Sequence, residues 1–100
     1  MAQFNISFPY SSSSLSYVTA SIASTTVVAA DNNRGKFILN LSGSSRAYVA
    51  LTSAPATTTA YSFYMDPGDY YEEKDYKGAV TVIFNATSAG TLLTATSISK

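Results

Sequence analysis

The sequence predicts an all-β fold, an antiparallel β-sandwich or flattened barrel of seven or eight short strands, and three observations lead there. Apolar and polar residues alternate in short runs, the signature of strands with one buried face. Clusters of Gly, Pro, Asn, Asp and Ser punctuate those runs at intervals of roughly 8–15 residues. Helical periodicity is nowhere sustained, so two layers of sheet are the simplest way to bury the apolar faces. One hundred residues, 46% of them hydrophobic, suffice for a single core.

Residues 3–8 alternate cleanly, with Phe4, Ile6 and Phe8 on one face and Asn5 and Ser7 on the other, and Pro9 stops the run. Residues 10–14 (YSSSS) read as a flexible polar connection. The head of the chain, residues 1–24, then has two readings: an ordinary first strand, or an arm that adds to a neighbouring subunit through its Ser-rich hinge. Residues 15–24 leave room for a short helix, against which repeated Ser and Thr weigh.

The main β-sandwich domain is assigned to residues 25–100. Within it, 25–29 reads as a strand, and Asp31-Asn32-Asn33-Arg34-Gly35 as a turn, since Asn and Gly tolerate left-handed backbone. Strand 36–41 buries Phe37, Leu39 and Leu41 on one face. Ser42-Gly43-Ser44-Ser45 reads as a hairpin loop into strand 46–51 (RAYVAL), so these two strands are expected to pair. Residues 52–59, with Pro55, read as a loop, and 60–65 as a strand with Tyr61, Phe63 and Met65 on one face. Residues 85–90 turn the chain into a last strand over 91–98.

Residues 64–84 concentrate most of the charge, the tightest turn and the most hydrophobic strand. In Asp66-Pro67-Gly68-Asp69, Pro67 presets φ and Gly68 supplies the positive φ that a type II turn needs at its third position. Type II geometry splays paired strands, so this turn is expected to be a corner between sheets. After it, Tyr70 and Glu72 should face one way and Tyr71 and Glu73 the other. The uncharged run 79–84 (AVTVIF) would be an aggregation hazard on an exposed edge, which places it centrally with a neighbour on each side. Tyr76, just before it, is positioned to act as a corner tyrosine whose hydroxyl bonds to nearby backbone.

Composition bounds the function. Six basic and six acidic residues cancel, and no Lys or Arg cluster is present to meet nucleic-acid phosphates. There is no Cys and no His, so thiolate metal sites, disulfides and the usual base for a nucleophilic Ser are all missing. The acids Asp66, Asp69, Glu72, Glu73 and Asp75 are the one group that could attract a hard cation or act as paired carboxylates. Their spacing matches no EF-hand, and a domain of this size has little room for a hydrolytic cleft. No catalytic residue, cofactor or metal is therefore expected. Only 12% of residues are charged, against about a quarter in an average domain. That deficit and eight Tyr favour association, although Tyr and Thr are also simply good strand formers.

The segments 30–42 (ADNNRGKFILNLS), 46–50 (RAYVA), Asp66-Pro67-Gly68 and 75–80 (DYKGAV) resemble small β domains of tailed-phage and prophage structural proteins. The resemblance covers roughly residues 25–98 and leaves the head of the chain outside it. It implies a non-enzymatic virion protein assembled in the host cytoplasm, of the head decoration or cement type, that bridges capsid subunits. Its partners would be the major capsid protein or other virion proteins and further copies of itself, a trimer for example, with no nucleic acid and no membrane. The residues expected to meet partners are Phe4, Ile6, Phe8, Tyr70, Tyr71, Glu72, Glu73 and Asp75. The alternative is a glycan- or receptor-binding module of a phage tail or fibre, with exposed Tyr70 and Tyr71 stacking on sugar rings.

Overall fold

A computed structural model describes residues 12–87 and 90–99. Among these residues eight strands follow one another: β1 (Ser12–Thr19), β2 (Thr25–Val28), β3 (Arg34–Ser42), β4 (Ala47–Ala50), β5 (Phe63–Met65), β6 (Tyr70–Lys74), β7 (Val80–Phe84) and β8 (Leu92–Ser99). They form two four-stranded antiparallel sheets packed as a β-sandwich. Sheet A runs β1-β8-β3-β6 and sheet B runs β2-β7-β4-β5.

Period-two alternation builds the core. Phe37, Leu39 and Leu41 of β3 point inward with at most 2% exposure, and meet Val80, Val82 and Phe84 of β7 together with Ala47, Val49, Met65, Leu93 and Ala95. Each large side chain buried this way contributes about 1.5–3 kcal/mol. The AVTVIF run is central as expected: β7 is paired with β2 on one side and β4 on the other. The Asp66–Asp69 turn is a corner between sheets as expected, carrying the chain from β5 in sheet B to β6 in sheet A. Gly68 has φ +94°, Asp69 N–H donates to the Asp66 carbonyl at 2.9 Å, and Asp66 N–H donates to the Asp69 carboxylate at 2.7 Å.

Several expectations need correction. Strands β3 and β4 do not pair; they lie in different sheets and pack face to face. The loop between them crosses over because Ser44 N–H donates to Thr91 Oγ1 (2.9 Å) and Arg46 N–H to Asn85 Oδ1 (3.2 Å). Gly43 takes φ +117° there. No helix forms over 15–24. Residues 12–19 instead pair one by one with β8, and the Ser16 hydroxyl donates across the sandwich to the Val27 carbonyl at 3.0 Å. Ser12, Ser13 and Ser14 thus belong to β1 and not to a connection. Strand β5 begins only at Phe63, so Tyr61 does not share the inner face with Met65. Its ring instead meets Tyr48 on the outer face of sheet B. In the 31–35 turn no Asn or Gly is left-handed; the Asp31 carboxylate holds the turn by accepting from Asn33 N–H at 2.9 Å. The expected strand 3–8, with Phe4, Ile6 and Phe8, lies outside the described residues.

Among the described residues one charged side chain is internal. Arg34 is 0% exposed, and its guanidinium donates to the carbonyls of Tyr76 (3.0 Å), Gly78 (2.9 Å) and Ala29, and to Ser97 Oγ (3.1 Å). Burial pulls its pKa down, and attraction to Asp31 opposes that shift. The four bonds tie the β2–β3 turn, the β6–β7 connection and β8 together, while Lys77 Nζ donates back to the Arg34 carbonyl at 2.7 Å. Tyr76 completes this corner, its hydroxyl donating to the Ala79 carbonyl at 2.7 Å.

Candidate functional site

The outer face of sheet A is the site that the strand registers assemble. Following the pairing across β1, β8, β3 and β6, one row reads Leu15, Thr96, Ile38, Glu72 and the next reads Tyr17, Thr94, Asn40, Tyr70. Leu15, Tyr17 and Tyr70 stand 70%, 66% and 59% exposed, well above what their apolar area would favour in water. Charge is confined to the corner formed by Lys36, Glu72 and Lys74. There Lys36 Nζ and the Tyr70 hydroxyl both donate to the Glu72 carboxylate, at 3.2 and 2.9 Å. Those bonds, Tyr70 first, hold the Glu72 carboxyl below its usual range, and the same contact raises the Tyr70 phenol. The rest of the face is a neutral surface of Tyr, Thr, Leu and Ile.

The residues singled out in the sequence separate as their alternation requires. Tyr70 and Glu72 are on this face. Tyr71 and Glu73 are on the other: the Tyr71 ring packs on Phe63 (4.2 Å between centroids) and Phe37 (6.2 Å), and its hydroxyl donates to Glu73. Burial, with the Glu73 hydrogen bond second, pushes the Tyr71 phenol up to about 12. Tyr71 therefore has no free ring face comparable to that of Tyr70. Asp75 follows β6 at φ 65°, exposed, with its N–H donating to the Gly35 carbonyl at 2.9 Å. The five acids are thus dispersed: Asp66 pairs with Arg46 (2.8 Å), Asp69 closes the corner turn, and Glu72 and Glu73 take opposite faces. Among the described residues, no three of them gather as a metal site.

Leu15 and Tyr17 were missed by reading 15–24 as a possible helix. Their spacing of two, with Ser14, Ser16 and Val18 between and beside them, is the strand signal that was available. A second aromatic group was also missed, on the outer face of sheet B. Tyr48 lies 4.9 Å from Tyr61 and 6.4 Å from Tyr64, and the Arg46 guanidinium stacks 4.0 Å over the Tyr64 ring. A hydrogen bond to Asp66 raises the Arg46 pKa further above its ordinary value.

A groove of about 470 Å³ opens between the edges of β1 and β2, lined by Ser14, Ser16, Thr26, Asp31 and Ser97 among others. Among the described residues its hydroxyls have no activating base beside them. Ser16 donates to a carbonyl, and the Asp31 carboxylate accepts from Asn33 N–H and from Ser99 Oγ (3.0 Å). Those bonds, the backbone one first, keep the Asp31 carboxyl below its usual pKa, a state that accepts protons poorly. Compared with known proteins, the sequence matches no family model and none of the curated proteins.

Proposed function

We propose that this chain is a non-enzymatic structural protein of a tailed-phage virion, of the head decoration or cement type, which binds the major capsid protein and bridges its subunits. The observation that carries this reading is the outer face of sheet A, where Leu15, Tyr17 and Tyr70 are exposed across four strands with charge held to one corner. Such a face suits a broad, neutral protein partner better than a small substrate or a polyanion. The resemblance of residues 25–98 to phage structural domains supplies the kind of partner, and with it assembly in the host cytoplasm and residence in the virion. The test is co-sedimentation of the full chain with purified capsids of the phage concerned. Binding that is lost in Tyr70→Glu/Thr94→Glu is the expected result; no co-sedimentation of the unaltered chain, or binding indifferent to those changes, overturns the reading.

One observation favours a second reading, a glycan- or receptor-binding module of a tail or fibre. Tyr61 and Tyr64 stand 41% and 47% exposed beside Tyr48, and rings so placed can stack on sugars. This moves the stacking surface from Tyr70 and Tyr71 to the opposite sheet. Host adsorption lost in Tyr61→Ala/Tyr64→Ala, with capsid binding intact, would favour it over the first.

A further inference from the structure

We infer that two copies of this chain join edge to edge through β1, antiparallel about a twofold axis at Ser16, so that sheet A of one copy continues into sheet A of the other. The inference deepens the assembly reading and rests on it in taking a second copy as the partner. Its basis is a comparison of the four sheet edges. An open edge presents unpaired N–H and C=O groups, and proteins normally blunt it with charge, bulges or brevity. Strand β6 carries Glu72, Glu73 and Lys74. Strand β2 has four residues and a register shift between Thr26 and Val28, and β5 has three residues. Strand β1 has none of these protections: eight residues, SSSLSYVT, with no charge, no Pro or Gly and an unbroken register against β8. Among the described residues its outer edge is bordered by the open groove and not by another strand.

The register follows from the side chains. Ser13, Leu15, Tyr17 and Thr19 are on the outer face, while Ser14, Ser16 and Val18 are on the face turned toward β2, where Ser14 and Ser16 line the open groove. Directly opposed residues in an antiparallel pair share a face, and a slip of one residue would set the outer face of one copy against the inner face of the other. Of the registers that keep faces matched, centring on Ser16 opposes Leu15 to Tyr17 of the second copy, twice over. The two most exposed apolar side chains of β1 then cover each other. With no charge on β1, two copies meet without repulsion.

The experiment is light scattering of the full chain over a concentration series, alongside Leu15→Lys, Ser16→Cys and Thr58→Cys. The unaltered chain is expected to reach twice its 10.6 kDa mass. Leu15→Lys, at a side chain the monomer leaves exposed, should raise the dimer dissociation constant at least about tenfold, and at concentrations low enough for both proteins to be monomeric it should leave the thermal midpoint unchanged. Because the chain has no Cys, a short bis-maleimide should cross-link Ser16→Cys into a dimer and leave Thr58→Cys, on the exposed 52–60 loop, uncross-linked. A monomer at all concentrations, a closed trimer, a dimer indifferent to Leu15→Lys, or equal cross-linking at both positions would each overturn the inference. Capsid co-sedimentation is scored separately: capsid binding by a monomeric protein refutes the β1 edge alone, and a β1 dimer that ignores capsids refutes the virion reading alone.

Discussion

Gly43 rests directly against Thr91: a Cβ built on the glycine would stand 2.4 Å from the threonine Cα and from its Oγ1. The same threonine, 1% exposed, accepts from Ser44 N–H. The crossover from sheet A to sheet B therefore depends on a backbone-to-backbone approach that only glycine permits. Gly43→Ala should destabilise the fold by on the order of 2–3 kcal/mol, combining the clash with its φ of +117°. Gly68→Ala, also at positive φ but with nothing within 4 Å, should cost only about 1 kcal/mol. Urea unfolding of the two variants checks the contrast.

Arg34 serves three backbone carbonyls and one hydroxyl from inside the fold. Arg34→Met leaves those acceptors without their donor and should cost about 3–5 kcal/mol. Arg34→Lys keeps the charge but replaces a planar fork with a point donor, and should recover only part of the loss. Equilibrium denaturation ranks the three proteins; a Met variant as stable as the parent would show that the bonds contribute nothing net.

Gly78 and Tyr76 share one small space, since a Cβ on Gly78 would stand 2.5 Å from the Tyr76 hydroxyl oxygen. Tyr76→Phe should cost about 1 kcal/mol through the lost bond to the Ala79 carbonyl. Gly78→Ala should cost more, and the double variant less than the sum, because the clash is partly with the oxygen that Phe lacks. A double-mutant cycle measures that coupling.

Carboxyls and phenols both make the stability of the fold depend on pH. Asp31 and Glu72 have folded pKa values below their unfolded ones, so their contribution is complete above the unfolded carboxyl range and fades as pH falls through the folded values. Acid unfolding should therefore move to higher pH in Asp31→Asn. Tyr71 behaves in the opposite sense. Its folded pKa is raised to about 12 from 10.0, so the stability it gives is full below pH 10 and lost as pH rises towards 12. Spectroscopic titration should show Tyr70 and Tyr71 ionising late, and Tyr71→Phe should remove one of the two late steps.

Much of the sandwich was legible because alternation reports which way a side chain points. Phe37, Leu39 and Leu41, the two faces of β6, and the Asp66–Asp69 corner all follow from local spacing or turn chemistry. Neighbour relations do not. Strands 36–41 and 46–51 each announce a buried face, but the pattern is the same whether two such strands pair or pack face to face, and the contacts that decide it come from Thr91 and Asn85. A charge such as Arg34 reads as solvent-exposed, since its partners are backbone carbonyls that leave no trace in residue type. Leu15 and Tyr17 alternate correctly, but amid so many Ser and Thr their face could not be told from that of a short helix. The outer face of sheet A was half visible, through Tyr70 and Glu72, and its β1 side was not.

The strand order also dictates a sequence of events in time. Strand β8 follows the other seven described strands off the ribosome, yet it lies in the interior of sheet A, between β1 and β3. Until it arrives, β1 has no partner among the described strands of its own sheet, and the inner face of β3 lacks Leu93 and Ala95 beside it. Loss of β8 would thus release the first strand along with the last. A nascent chain stalled before Leu92 should remain protease-sensitive in β1 as well as near the stall, becoming resistant only once the whole of the described sandwich is free to close.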